Sequence, residues 1–158
     1  MDIDLKKLNH TFSRKPLLVG GKAMEYYGLR KAGADIDFIA VEEDVIALIK
    51  QYPDRVKDLW GDLGVCPYEF EIWRTICSFD YDYFSKGAED KGEYLIVSLE
   101  KLLFMRALAM KKEKYMKDLE LIVDGILKEK SEEYESLKEH NAKLLEGIEN
   151  INFIEKTG

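Results

Sequence analysis

Two short stretches early in the chain hold residues whose types and spacing could do chemistry. Gly20 and Gly21 follow the apolar run Pro16-Leu17-Leu18-Val19, and Asp35 and Asp37 lead into a second run, Phe38-Ile39-Ala40-Val41. The first run predicts a buried strand stopped by a tight turn. Two glycines at such a turn let the backbone approach a phosphate closely. A helix start behind them presents free N–H groups at the positive end of a dipole. Carboxylates at i and i+2 of a strand point to one face. Side by side they repel each other unless a cation lies between them, and hard oxygen donors in an open site suit Mg²⁺ bound to substrate phosphates. A phosphate turn beside a paired-aspartate metal site describes phosphoryl-type transfer from a nucleotide. Each half also has an ordinary reading: Gly-Gly as a plain turn, Asp-x-Asp as a solvated strand edge.

The elements that must position these residues follow from the pattern around them. Lys22 to Tyr27 carries helix formers, with Gly28 as a stop. Asp35 to Val41 alternates acid and apolar residues before turning fully apolar, which predicts a strand. Glu42-Glu43-Asp44 places acids where a helix dipole favours them, with Val45, Ile46, Leu48 and Ile49 at helical spacing behind. Asp54 to Leu59 is expected to be one more short helical piece. Val65 to Cys77 is strand-like, and its centre, Tyr68 to Trp73, puts Phe70 and Ile72 on one face and Glu69, Glu71 and Trp73 on the other. Phe79 to Phe84 is expected to be irregular and Tyr94 to Val97 a strand. Ser98 is an expected N-cap for a helix through Met110. Helices over Tyr115 to Leu127 and from Ser131 follow, the last with the stripe Leu137, Leu144, Leu145, Ile148, Ile151. The expected architecture is α+β: a small mixed sheet flanked by helices over residues 1–97, then a C-terminal helical lobe over 98–158. The late stripe reads as a seam against its own lobe or as a homodimer surface.

Composition narrows the class. The chain has 158 residues, 46% hydrophobic and 35% charged, which excludes a disordered chain and a disulfide scaffold. No apolar run approaches the roughly 18 residues of a membrane helix. The acidic start, Met1-Asp2-Ile3-Asp4, has no apolar run behind it and does not read as a secretory signal, so a soluble cytoplasmic protein is expected. The net charge of −7 argues against nonspecific DNA binding, which rests on neutralising many phosphates. Cys66 and Cys77 lack CxxC spacing and only His10 and His140 accompany them, so free thiols are expected rather than a structural zinc site. Between Lys101 and Lys117, six basic residues face one acid, Glu113. Lys111, Lys112 and Lys114 read as a solvated turn. Arg106 differs, because a charge between Phe104-Met105 and Ala107-Leu108 needs a partner or a task. Trp60 and Trp73 are expected in core or edge packing, with Trp73 sharing the Glu71 face. His10 and His140 are expected at the surface.

In order and spacing, Gly20-Gly21, the short helix to Gly28 and Asp35-Ile36-Asp37-Phe38 resemble the signature of the nucleotidyltransferase superfamily related to DNA polymerase beta. The segments Val19 to Leu29 and Ser98 to Arg106, with Lys117-Asp118 after them, are similar to those of small bacterial members. These include antibiotic-modifying and abortive-infection or toxin-type enzymes. The resemblance spans about residues 17–124. It departs from the pattern before the aspartate pair, where Lys31 stands as the basic residue and Gly33-Ala34 replace the remainder, and at Arg106, where lysine is common.

The resemblance implies the nucleotidyltransferase fold and a Mg²⁺-dependent transfer of a nucleoside monophosphate from a nucleoside triphosphate such as ATP to a hydroxyl. Asp35 and Asp37 would hold Mg²⁺. A third carboxylate from a neighbouring strand would complete the site and take the acceptor proton. Glu71 is preferred over Glu69 because it lies deeper in the strand, with Asp80 and Asp82 as weaker candidates. Backbone N–H groups at Gly20, Gly21 and Lys22 would hold phosphates, and Arg106 would neutralise the departing pyrophosphate. Asp118 reads equally as a helix salt-bridge partner. The acceptor is open between a small molecule, a protein side chain and tRNA. The alternative is a catalytically inactive nucleotide-binding or interaction module of the same fold, working with a partner protein.

Overall fold

The computed structural model describes residues 3–109 and 112–151. The chain divides into two compact units, Met1–Val123 and Asp124–Gly158. The boundary expected at residues 97/98 thus lies inside the first unit, which holds all of the helix that Ser98 starts.

The first unit is α+β. After a 3₁₀ turn at Leu5–Leu8 come β1 (Leu17–Leu18), α1 (Gly20–Tyr26), β2 (Ile36–Ile39) and α2 (Glu42–Gln51). A second 3₁₀ turn, Pro53–Arg55, leads to β3 (Val56–Leu59) and β4 (Asp62–Val65). Then follow β5 (Phe70–Trp73), β6 (Thr75–Ile76), β7 (Phe79–Asp80), α3 (Tyr81–Phe84), β8 (Glu89–Asp90), β9 (Leu95–Ile96) and α4 (Leu99–Leu108). The helix α5 (Glu113–Glu132) begins in this unit, and α6 (Tyr134–Leu144) lies in the second.

Seven strands form a mixed sheet in the order β3-β4-β5-β2-β1-β9-β8, and β6 and β7 form a separate hairpin. At its centre β2 runs antiparallel to β1 and parallel to β5, while β1 runs parallel to β9. The inner strands are short and almost wholly buried because they are the most apolar segments: Leu17, Leu18, Phe38, Ile39, Phe70 and Ile72 are all fully buried. Burying such side chains contributes about 1.5–3 kcal/mol each. The α1 helix packs on β2 and α2 on β4. The Ser98 hydroxyl accepts from Lys101 N and caps α4 as expected.

Several local expectations give way. Residues 56–59 are an edge strand, not a helix: β3 pairs with β4 through a two-residue turn at Trp60-Gly61, both with positive φ. Trp60 is not packed at all but 103% exposed at the tip of this hairpin. Phe79 to Phe84 is ordered as β7 and α3, with the Asp80 side chain capping the helix at Tyr83 N. Ser131 opens no helix. It lies within α5, where its hydroxyl donates to the Lys128 carbonyl. The late stripe is not a buried seam, since Leu137, Leu144, Ile148 and Ile151 are all exposed. His140 is exposed, whereas His10 is half-buried, with Nε2 3.0 Å from Oδ1 of the buried Asp44. Cys66 and Cys77 are free thiols. Among the described residues no helix is long and apolar enough to cross a membrane.

Candidate functional site

The parallel pairing of β2 with β5 sets Asp37 directly beside Glu71. The register follows from the two apolar sequences: Ile36 and Phe38 must bury against Phe70 and Ile72, and a slip by one residue would turn both carboxylates into the core. Asp35 sits two residues back on the same face, just before β2, and is exposed.

Gly20 closes the site from below. It joins β1 to α1 with φ +64, a conformation that disfavours side chains, and a Cβ there would lie 2.2 Å from Asp37 Oδ2. Both the turn and the close approach therefore require glycine. The two glycines do not precede the helix, as the sequence suggests, but form its first turn. Val19 N donates to the Asp37 carbonyl at 2.9 Å and ties the glycine turn to β2. Gly21 faces Arg30, whose Nη1 lies 3.7 Å from the position of a Cβ. The Lys22 ammonium is not brought to the site; it rests 3.5 Å from Glu25 Oε2.

The electrostatics centre on Asp37. Burial pushes its pKa up to about 6, the Glu71 and Asp35 charges push the same way, and Arg106 and Lys114 only partly oppose them. Among the described residues Asp37 has no ion-pair partner. Glu71 accepts from Lys57 Nζ on β3 at 2.8 Å. Glu69 turns elsewhere and accepts from Lys7 at 2.6 Å, so of the two glutamates it is Glu71 that accompanies Asp37. Asp80 is committed to its helix cap, and Asp82 pairs with Arg14 at 2.6 Å.

A basic group faces these carboxylates. Arg106 on α4 is 7% exposed. Its Nε lies 3.3 Å from Asp118 Oδ2 but out of line for a hydrogen bond, so this buried nitrogen is unpartnered among the described residues. Its guanidinium also stands 4.9 Å from the Tyr115 ring centre. Burial pulls the Arg106 pKa down, while Asp118, Tyr115 and Asp37 hold it up. Arg30 grips the same Asp118 with two bonds, Nε to Oδ1 at 2.7 Å and Nη2 to Oδ2 at 3.0 Å. Burial would raise the Asp118 carboxyl, but the Arg30 hydrogen bonds and the two guanidinium charges outweigh it and hold the group below its ordinary value. Of the two adjacent basic residues it is Arg30, not Lys31, that lines the smaller cavity; Lys31 is exposed and supplies only a carbonyl to Arg30 Nη1. Asp118 pairs with these two arginines rather than serving as a surface partner on its own helix.

Two cavities meet at this point and share Asp37, Arg106 and Tyr115. The smaller, about 110 Å³, has a basic wall of Arg30, Arg106 and Lys114 and also admits Asp35. Lys114 is solvent-exposed as expected, but stands on the first turn of α5 and borders this cavity. The larger, about 230 Å³, holds Glu71 and has apolar walls that include Leu59, Trp73, Ile76 and Met105. Trp73 shares the Glu71 side, as its strand position suggests, and its ring covers Gly64, where a Cβ would lie 2.5 Å from it. Sequence reasoning missed Arg30, Lys114, Tyr115 and Asp62. The only signal available for Arg30 was its place beside Lys31 ahead of the aspartate pair.

Among the described residues no three histidine, cysteine, aspartate or glutamate side chains stand together so that they could hold a metal ion as they are placed. The chemistry of the donors nevertheless fits a hard divalent cation: Asp35, Asp37 and Glu71 offer only oxygens, and their mutual repulsion at Asp37 is what a cation would relieve. No family model, no curated protein and no solved structure matches this chain.

Proposed function

We propose that the chain is a Mg²⁺-dependent nucleotidyltransferase of the polymerase-beta-like fold, transferring a nucleoside monophosphate from a nucleoside triphosphate to a hydroxyl. The observation that carries this reading is the in-register pair Asp37–Glu71 on adjacent parallel strands, with Asp35 two residues back and Gly20 packed against Asp37. Asp35, Asp37 and Glu71 would hold Mg²⁺, which when bound supplies charge neutralisation for a triphosphate. The acceptor oxygen forms a bond to the α-phosphorus, the bond to pyrophosphate breaks, and Glu71 takes the hydroxyl proton. Arg106, Arg30 and Lys114 lie on the side of Asp37 where the negative charge of pyrophosphate develops, and fixed cations in a partly buried site stabilise it. Gly21, which lines the smaller cavity, leaves room for the phosphates beside the backbone. An inactive module would have no physical reason to keep a half-buried carboxylate between two others.

The test is a thermal-shift titration with each nucleoside triphosphate, with and without Mg²⁺, on the wild type and on Asp35→Asn/Asp37→Asn. A ligand at a hundred times its dissociation constant stabilises by about 2.7 kcal/mol. A Mg²⁺-dependent shift that vanishes in the double variant supports the reading. No shift with any nucleotide refutes it and leaves the interaction module.

A further inference from the structure

The β3–β4 hairpin presents a feature that the fold itself does not use. Its turn residues, Trp60 and Gly61, have φ of +54° and +98°. Such two-residue turns favour asparagine, aspartate and glycine, because a bulky side chain is strained there. This hairpin instead carries a tryptophan, with its indole wholly exposed. The tip is held firmly. Asp58 Oδ1 accepts from Gly61 N at 2.8 Å. Asp62 accepts from Thr75 Oγ1 at 2.7 Å, Cys77 N at 2.6 Å and Ser78 N at 2.9 Å, which fastens this hairpin to the β6–β7 turn. Leu59 and Asp62, the register partners on either side of the tip, both line the larger cavity beside Asp37 and Glu71. The Trp60-Gly61 tip is thus flanked on both sides by residues that line that cavity, without lining it itself.

We propose that Trp60 is a stacking platform for the base of the nucleotide bound at Asp37. This rests on the function proposed above. A triphosphate lying across Asp37 directs its anionic end to Arg30, Arg106 and Lys114, and its nucleoside then occupies the opposite, apolar cavity. Leu59, Trp73, Ile76 and Met105 offer that nucleoside apolar walls, and the exposed indole next to Leu59 in the chain is the flat face free to close over its base. Indole–base stacking is tolerant of base identity, because every base has a π-face. The platform therefore holds the base without choosing it. A pre-positioned aromatic on a fastened hairpin also gives up little conformational freedom on binding.

The experiment uses ATP, CTP, GTP and UTP with Mg²⁺ on the full chain, and reads tryptophan emission alongside calorimetric affinity. Trp60 is exposed and Trp73 buried, so their emission is separable, and Trp60→Phe identifies the signal. The expected result is quenching of the exposed tryptophan on nucleotide binding, with its protection from acrylamide. Trp60→Ala should bind every triphosphate about tenfold more weakly, and Trp60→Phe should recover most of that loss. Nucleotide binding with unchanged Trp60 emission and unaltered affinity in Trp60→Ala overturns the platform and leaves the proposed function standing. No nucleotide binding by any readout overturns both. Quenching by a single-stranded oligonucleotide but by no mononucleotide overturns the assignment to the donor base and gives the platform to an RNA acceptor.

Discussion

Removing the charge of Asp37 is expected to make the empty protein more stable. Its pKa rises from an ordinary 3.8 to about 6, chiefly through burial and then through Glu71 and Asp35. Because the folded-state pKa lies above the unfolded one, the unfolded chain holds fewer protons on this group between those values. Stability therefore falls as pH rises through that window and stays lowered above it. A difference of about two pH units at 1.36 kcal/mol each puts the penalty at about 3 kcal/mol at pH 7 and roughly half that at pH 5. Asp37→Asn keeps the shape and drops the charge. At pH 7 it should raise stability by up to about 3 kcal/mol, or on the order of 10 °C in Tm for a chain of this size. The gain should shrink as pH is lowered towards 4. Urea denaturation of both proteins between pH 4.5 and 7.5, without added metal, measures it. In the same variant, stabilisation by Mg²⁺ and nucleotide should vanish, so the empty protein gains what the liganded one loses. An Asp37→Asn variant that is less stable than wild type at pH 7, or whose advantage is flat with pH, refutes the picture of a crowded, partly buried carboxylate.

Three further perturbations test its surroundings. Gly20→Ala must place a Cβ 2.2 Å from Asp37 Oδ2 at a positive φ, and should cost about 1–2 kcal/mol from the backbone alone while displacing Asp37; thermal denaturation and loss of the nucleotide-induced shift check it. Asp118→Ala leaves Arg30 and Arg106 without their shared counter-charge and should destabilise by about 3 kcal/mol, read by urea unfolding. Asp62→Ala removes three hydrogen bonds that fasten the β6–β7 turn, and should cost about 2 kcal/mol and speed alkylation of Cys77, measured by mass spectrometry against Cys66 as an internal control.

Local pattern made part of the site legible. Asp35 and Asp37 stand out because alternation puts both on one face of a strand, and Glu71 because Phe70 and Ile72 fix which way β5 faces. Arg30 with Asp118 does not, since the partners are 88 positions apart and nothing in the neighbourhood of either announces the other. The β3 strand escapes because an edge strand exposed along its whole length carries no buried face to give it a period of two. Trp60-Gly61 lacks the asparagine or aspartate that usually marks a tight hairpin. The strands β7 and β8 have two residues each, too few to carry any period. His10 reads as a surface residue because its partner Asp44 lies 34 positions away, on a helix start where an acid is expected for other reasons.

The arrangement of charge explains why the site does not collapse on itself. Arg106 is the buried cation that opposes Asp37, and a direct bond between the two would relieve the carboxylate and fill the space a ligand needs. Arg106 instead has Asp118 as its ion-pair partner, and Arg30 supplies Asp118 with the two well-formed bonds that keep it ionised. Lys57 donates to Glu71 from the edge strand β3. Asp37 thus has no ion-pair partner among the described residues, while Asp118 and Glu71 are paired, and Arg106 and Lys114 offset its charge only in part. Such strain persists only where surrounding structure over-determines it, and it concentrates where a ligand is to be bound. Gly20, with no side chain, leaves the space that the Asp37 carboxylate fills, and any larger residue there would displace it.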